Sequence, residues 1–74
     1  MRPEKRSFAL RGHRTSISLE APFWEALREI ALARGLSLAA LVTEIDAARG
    51  AAGLSSAVRV YVLAYYRTPP PAPT

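Results

Sequence analysis

Between Arg14 and Leu19 the chain alternates. Thr15, Ile17 and Leu19 fall on one side of a period-two element, and Arg14, Ser16 and Ser18 on the other. The pattern predicts a strand with an apolar face and a small, polar, hydrogen-bonding face. The period then changes to that of a helix. Phe23, Leu27, Ile30, Ala31 and Arg34 form one stripe, with Glu25, Arg28 and Glu29 outside it and Trp24 on its rim. Pro22 suits the first turn of this helix, and Gly35 stops it after Arg34. Ser37 caps a second helix with apolar positions at Leu38, Leu41, Val42 and Ile45. After a break at Gly50-Ala51-Ala52-Gly53, a third segment runs from Ser55 to Arg67, with Ser55 or Ser56 as its cap. Val58, Tyr61, Val62 and Tyr65 fit a helix, although Val58–Val62 is β-branched enough for a strand. The length of the apolar run favours the helix, which is apolar nearly all round and requires burial on several sides.

The ends are less regular. Residues 1–12 contain Pro3 and Gly12, show weak periodicity and are expected to form a flexible basic arm. Residues 68–74, mostly proline, are expected to be a disordered tail, leaving 13–67 as the domain. A single strand cannot satisfy its own backbone, so it is expected to pair with its copy in a second chain. Size points the same way. With 74 residues and 50% apolar content the chain is neither disordered nor able to build a large core alone. Without cysteine, and with one histidine and six acids, disulfides are excluded and a structural metal is not expected. A homodimer is the remedy left. Its expected core is Ile17, Leu19, Leu27, Ile30, Leu41, Val42, Ile45, Val58, Tyr61 and Val62.

Charge narrows the function. Residues 1–14 hold Arg2, Lys5, Arg6, Arg11 and Arg14 against Glu4 alone, and the remainder is balanced, so the net charge of +4 lies in the arm. That suggests a polyanionic partner, nucleic acid before membrane; the bland alternative is a solubilising tail. No apolar stretch approaches the length needed to span a bilayer, and Met1–Arg6 leads into no apolar core, so a cytoplasmic, nucleoid-associated protein is expected. His13, Ser16 and Asp46 supply triad residue types, but no oxyanion hole, cleft or phosphate-binding glycine loop accompanies them, and no enzyme or cofactor is expected.

Two such strands paired antiparallel form a ribbon that fits the B-DNA major groove, with Arg14, Ser16 and Ser18 aimed at base edges. Arginine grips guanine with two hydrogen bonds; serine discriminates less. Phosphate contacts are expected from Arg2, Lys5, Arg6 and Arg11, from His13 when protonated, and from the free N–H groups at the start of the second helix, Ser37 and Leu38. The plainer readings are a solvated strand face for the serines, simple capping for Ser37 and a solvated strand end for His13.

The order strand, helix, Gly35-Leu36-Ser37, helix over residues 13–48 resembles a ribbon-helix-helix DNA-binding domain. Gly12–Glu20, with Phe23-Trp24, Glu44-Ile45-Asp46, Leu54–Ala57 and Tyr65-Tyr66-Arg67, is similar to a bacterial subgroup carrying an extra C-terminal helix. The resemblance implies a mostly α fold with one N-terminal strand, an intertwined homodimer, double-stranded DNA as partner, and transcriptional regulation, often repression of its own or nearby genes. Members more often carry Arg, Lys, Asn, Gln or Thr on the groove face than two serines. Two other readings stay open. One is the antitoxin of a toxin pair, holding a protein partner through the C-terminal helix. The other is a nucleoid-type protein with little sequence preference.

Overall fold

Arg11 and Gly12 both have positive φ, 52° and 80°. Two central residues of that kind make the tight hairpin turn whose twist matches paired strands. They join β1 (Pro3–Leu10) to β2 (His13–Glu20) in a two-stranded antiparallel sheet, with Leu10 opposite His13, Ser7 opposite Ser16 and Pro3 opposite Glu20. The computed structural model describes residues 1–68; six of the seven residues expected as a disordered tail lie outside them. Three helices follow: α1 (Ala21–Ala33), α2 (Leu38–Ala48) and α3 (Leu54–Arg67).

β1 corrects two expectations. Residues 1–12 are not a flexible arm, and the chain contributes two strands rather than one. The cause is an inward face on β1. Phe8 stacks on Trp24 at 6.0 Å between ring centroids, the Arg6 guanidinium lies 4.8 Å above the same indole, and Leu10 is buried. Trp24 Nε1 donates to the Glu4 carbonyl at 2.9 Å. Trp24 is therefore a fully buried anchor and not a rim residue. Stacking and the cation over the ring each add to what area burial alone supplies.

The helices end for local reasons. Gly35, at φ 69°, closes α1 while the Leu36 N–H reaches the Ala31 carbonyl at 2.8 Å, the hydrogen-bond pattern of a left-handed helix stop. Ser37 caps α2, its hydroxyl accepting from the Ala40 N–H at 3.0 Å. The third segment is a helix, in line with its length, but Gly53 occupies its N-cap position and neither Ser55 nor Ser56 caps it.

Of the ten expected dimer-core residues, nine are buried and Tyr61 is half-buried, all within one chain. Val58 and Val62 of α3 close the core over β2, α1 and α2. Phe23 is only half-buried, and Arg34 is outside the core. Arg34 instead clasps the three helices together: its guanidinium donates to both carboxylate oxygens of Glu44 and, at 2.9 Å, to the Tyr61 hydroxyl. That bidentate bond holds the Glu44 carboxyl below, and the guanidinium above, their ordinary pKa values.

Candidate nucleic-acid interface

Alternation along the hairpin decides which side chains share a face. Arg6, Phe8 and Leu10 on β1 and Thr15, Ile17 and Leu19 on β2 turn inward. Lys5, Ser7 and Ala9 stand with Arg14, Ser16 and Ser18 on the other face, paired across it as Lys5 with Ser18, Ser7 with Ser16 and Ala9 with Arg14. The two hydroxyls of Ser7 and Ser16 are 3.4 Å apart. The result is a basic, polar face with no side chain bulkier than alanine among its apolar members. Arg14 and Ser16 are exposed and Ser18 is half-buried. Lys5, expected to meet phosphate from a mobile arm, is fixed beside the serines, and Ser7 is a face residue the sequence reading missed.

The other expected contacts separate. Arg6 points away from this face, over Trp24, with Glu4 at 3.7 Å. Arg2 is exposed ahead of β1. Arg11, His13 and Arg14 come together at the tip, where they line a cleft of about 270 Å³ with Asp46 and Arg49 from the end of α2. Arg49 is engaged there by Asp46 at 2.7 Å, so the cleft keeps an excess of positive charge. Ser37 and Leu38 sit at the start of α2, Ser37 exposed and Leu38 half-buried against the core. Past the cap, first-turn N–H groups have no partner within the helix and form the positive end of its dipole.

The far edge of β2 is covered by α3. The Ser18 N–H donates to the Ser55 hydroxyl at 3.1 Å, and the Arg59 guanidinium donates to the Ser18 carbonyl at 3.1 Å and to both oxygens of Glu20. A backbone hydrogen bond, then the Arg59 guanidinium, hold the Glu20 carboxyl below its ordinary pKa. Arg59 also lies 5.9 Å from the Phe23 ring centre. Neither Ser55 nor Arg59 carried a sequence signal for this role, because both act across more than 35 residues of chain.

The profile of the ribbon-helix-helix domain family matches residues 3–66, which takes in both strands and nearly all of α3. The chain belongs to the ribbon-helix-helix family. Neither a curated protein nor a solved structure matches it. Ribbon-helix-helix domains generally bind DNA and typically form dimers. Within this ribbon-helix-helix chain, β1 and β2 pair as a two-stranded antiparallel sheet. Among the described residues, no helix is long and apolar enough to cross a membrane.

Proposed function

We propose that the protein is a sequence-preferring DNA-binding regulator of transcription, acting as a homodimer and laying the outer face of its β1–β2 ribbon in the major groove. One observation carries the reading: the face bearing Lys5, Ser7, Ala9, Arg14, Ser16 and Ser18 is basic, polar and free of bulky apolar groups. A surface of that kind loses little by desolvation in a groove lined with donors and acceptors. The strained tip supports it further. Arg11 holds a left-handed backbone that Asn or Gly adopts at less cost, which fits an arginine kept for its charge. The tip cleft of Arg11, His13 and Arg14 suits a backbone phosphate beside the groove, and the start of α2 suits another. Arg6, spent on Trp24, drops out of the proposed contacts.

An antitoxin role draws less support, because the inner face of α3 is used in the chain's own core rather than left to fold on a toxin. Low-specificity packaging is distinguished by measurement. Sequencing the fragments retained by the purified protein yields a preferred site if the regulator reading is right. On that site, Arg14→Ala is expected to lose about 1–3 kcal/mol and to relax preference at one base pair per half-site. Affinity and base preference both unchanged in Arg14→Ala would overturn the groove reading.

A further inference from the structure

We infer that Lys5, on β1, reads a base alongside Arg14, on β2, so that each ribbon contacts two guanines three to four base pairs apart. The inference rests on the groove reading above and names a second residue that sets its specificity. Lys5 is thereby taken from the phosphate backbone and given to the floor of the groove.

Position comes from the register. Lys5 stands opposite Ser18 and Arg14 opposite Ala9, so the two cations occupy opposite strands and opposite ends of one face. Ser18 lies four residues beyond Arg14 on β2, which at about 3.4 Å per residue separates the cations by roughly 13 Å along the ribbon. DNA rises about 3.4 Å per base pair along its axis, and the groove runs obliquely to that axis, so its path per base pair is longer. The two side chains therefore fall three to four base pairs apart. The rest of the face is Ser7, Ala9, Ser16 and Ser18, which leaves lysine and arginine as its two long side chains. Ser7 and Ser16, between them, have hydroxyls 3.4 Å apart that can satisfy each other. The middle of the face thus discriminates little, and selectivity is concentrated at its two ends.

Lys5 is uncommitted within the fold. It is exposed, and the ion pairs among the described residues join Arg6 to Glu4, Arg34 to Glu44, Arg49 to Asp46 and Arg59 to Glu20, with neither Lys5 nor Arg14 taking part. Its backbone is nevertheless fixed on both sides from the inner face. The Glu4 carbonyl accepts from Trp24 Nε1 at 2.9 Å, the Arg6 guanidinium lies 4.8 Å over the same ring, and Trp24 is fully buried. A lysine on a loose arm neutralises whichever phosphate is near. One on an anchored strand meets the same group at every encounter, which is what reading a base requires. Lysine, like arginine, donates to O6 and N7 of guanine.

The test is selection of duplexes from a randomised pool by the full chain, followed by binding curves on the selected duplex and its single-base variants for Lys5→Ala and Arg14→Ala. The wild-type chain is expected to enrich two guanine positions per half-site, three to four base pairs apart. Lys5→Ala is expected to lose preference at one of them by about 5- to 20-fold and to keep the other, and Arg14→Ala the reverse. Because Lys5 is exposed, its removal is expected to leave the urea midpoint unchanged, so that lost selectivity is not lost structure. Equal weakening of Lys5→Ala on every sequence would overturn the inference by making Lys5 a phosphate anchor. No change in Lys5→Ala, or relaxation at the same base pair that Arg14→Ala relaxes, would overturn it too. In each of these cases the groove reading stands if Arg14→Ala still relaxes one base pair. A wild-type chain that enriches no site would overturn both.

Discussion

Arg11 carries a local backbone cost at a single residue. Its positive φ is strained for any side chain other than glycine, and least so for asparagine. Arg11→Asn is therefore expected to stabilise the fold by up to ~1 kcal/mol, seen as a higher urea midpoint, while weakening DNA binding at low salt. Affinity unchanged by the substitution would show that the strain is not kept for phosphate. Trp24 teaches the complementary lesson. By helical spacing alone it stands beside the stripe, and nothing local says what would cover it. Its partners, Phe8, Arg6 and the Glu4 carbonyl, come from β1, whose sequence has only weak periodicity.

Among elements, β2, α1 and α2 were legible because each carries its own signal: alternation, an apolar stripe, a glycine stop, a serine cap. β1 was not. Its inner positions are Arg6, Phe8 and Leu10, so a cation interrupts the apolar alternation, and that cation is accommodated only because an indole lies beneath it. The turn Leu10-Arg11-Gly12-His13 held the missing clue, since a glycine at the second central position permits a two-residue hairpin. Ser37 supplies the element-scale prediction. Its hydroxyl ends the list of free donors at the start of α2 by bonding the Ala40 N–H. Ser37→Ala is expected to cost roughly 0.5–2 kcal/mol in stability and to weaken DNA binding evenly across sequences. A changed base preference in this variant, measured on single-base variants of the preferred site, would contradict an anchoring role.

At the scale of the molecule, the core expected between two chains is found inside one. The expectation of shared burial came from counting a lone strand and an all-round apolar helix. Both conditions are met internally, the first by β1 and the second, on one side only, by Val58 and Val62. The ion pairs Arg59–Glu20 and Arg34–Glu44 contribute to the response to acid. Glu20 and Glu44 both have carboxyl pKa values lowered in the folded state, so the unfolded chain binds more protons below the ordinary carboxylate value of ~4.3. Their contribution is complete above that pH and is lost as pH falls through the folded-state values. Urea midpoints are expected to drop below pH ~4.3, less steeply in Glu44→Gln, whose stability at neutral pH is already lower. An identical slope in the variant would remove Glu44 from the account.

The cover that Ser55 and Arg59 place over Ser18 also sets an order of events in the cell. Ser18 leaves the ribosome 37 residues before Ser55 and 41 before Arg59. At synthesis rates of about 5–20 residues per second, the ribbon waits roughly 2–8 s with its outer edge bare. Hairpins close in microseconds but are marginal alone, so through that interval the ribbon opens and closes, and whenever closed it has an open side. Translation that stalls before α3 leaves this edge available to any neighbouring strand, and the arrival of α3 is what ends the exposure.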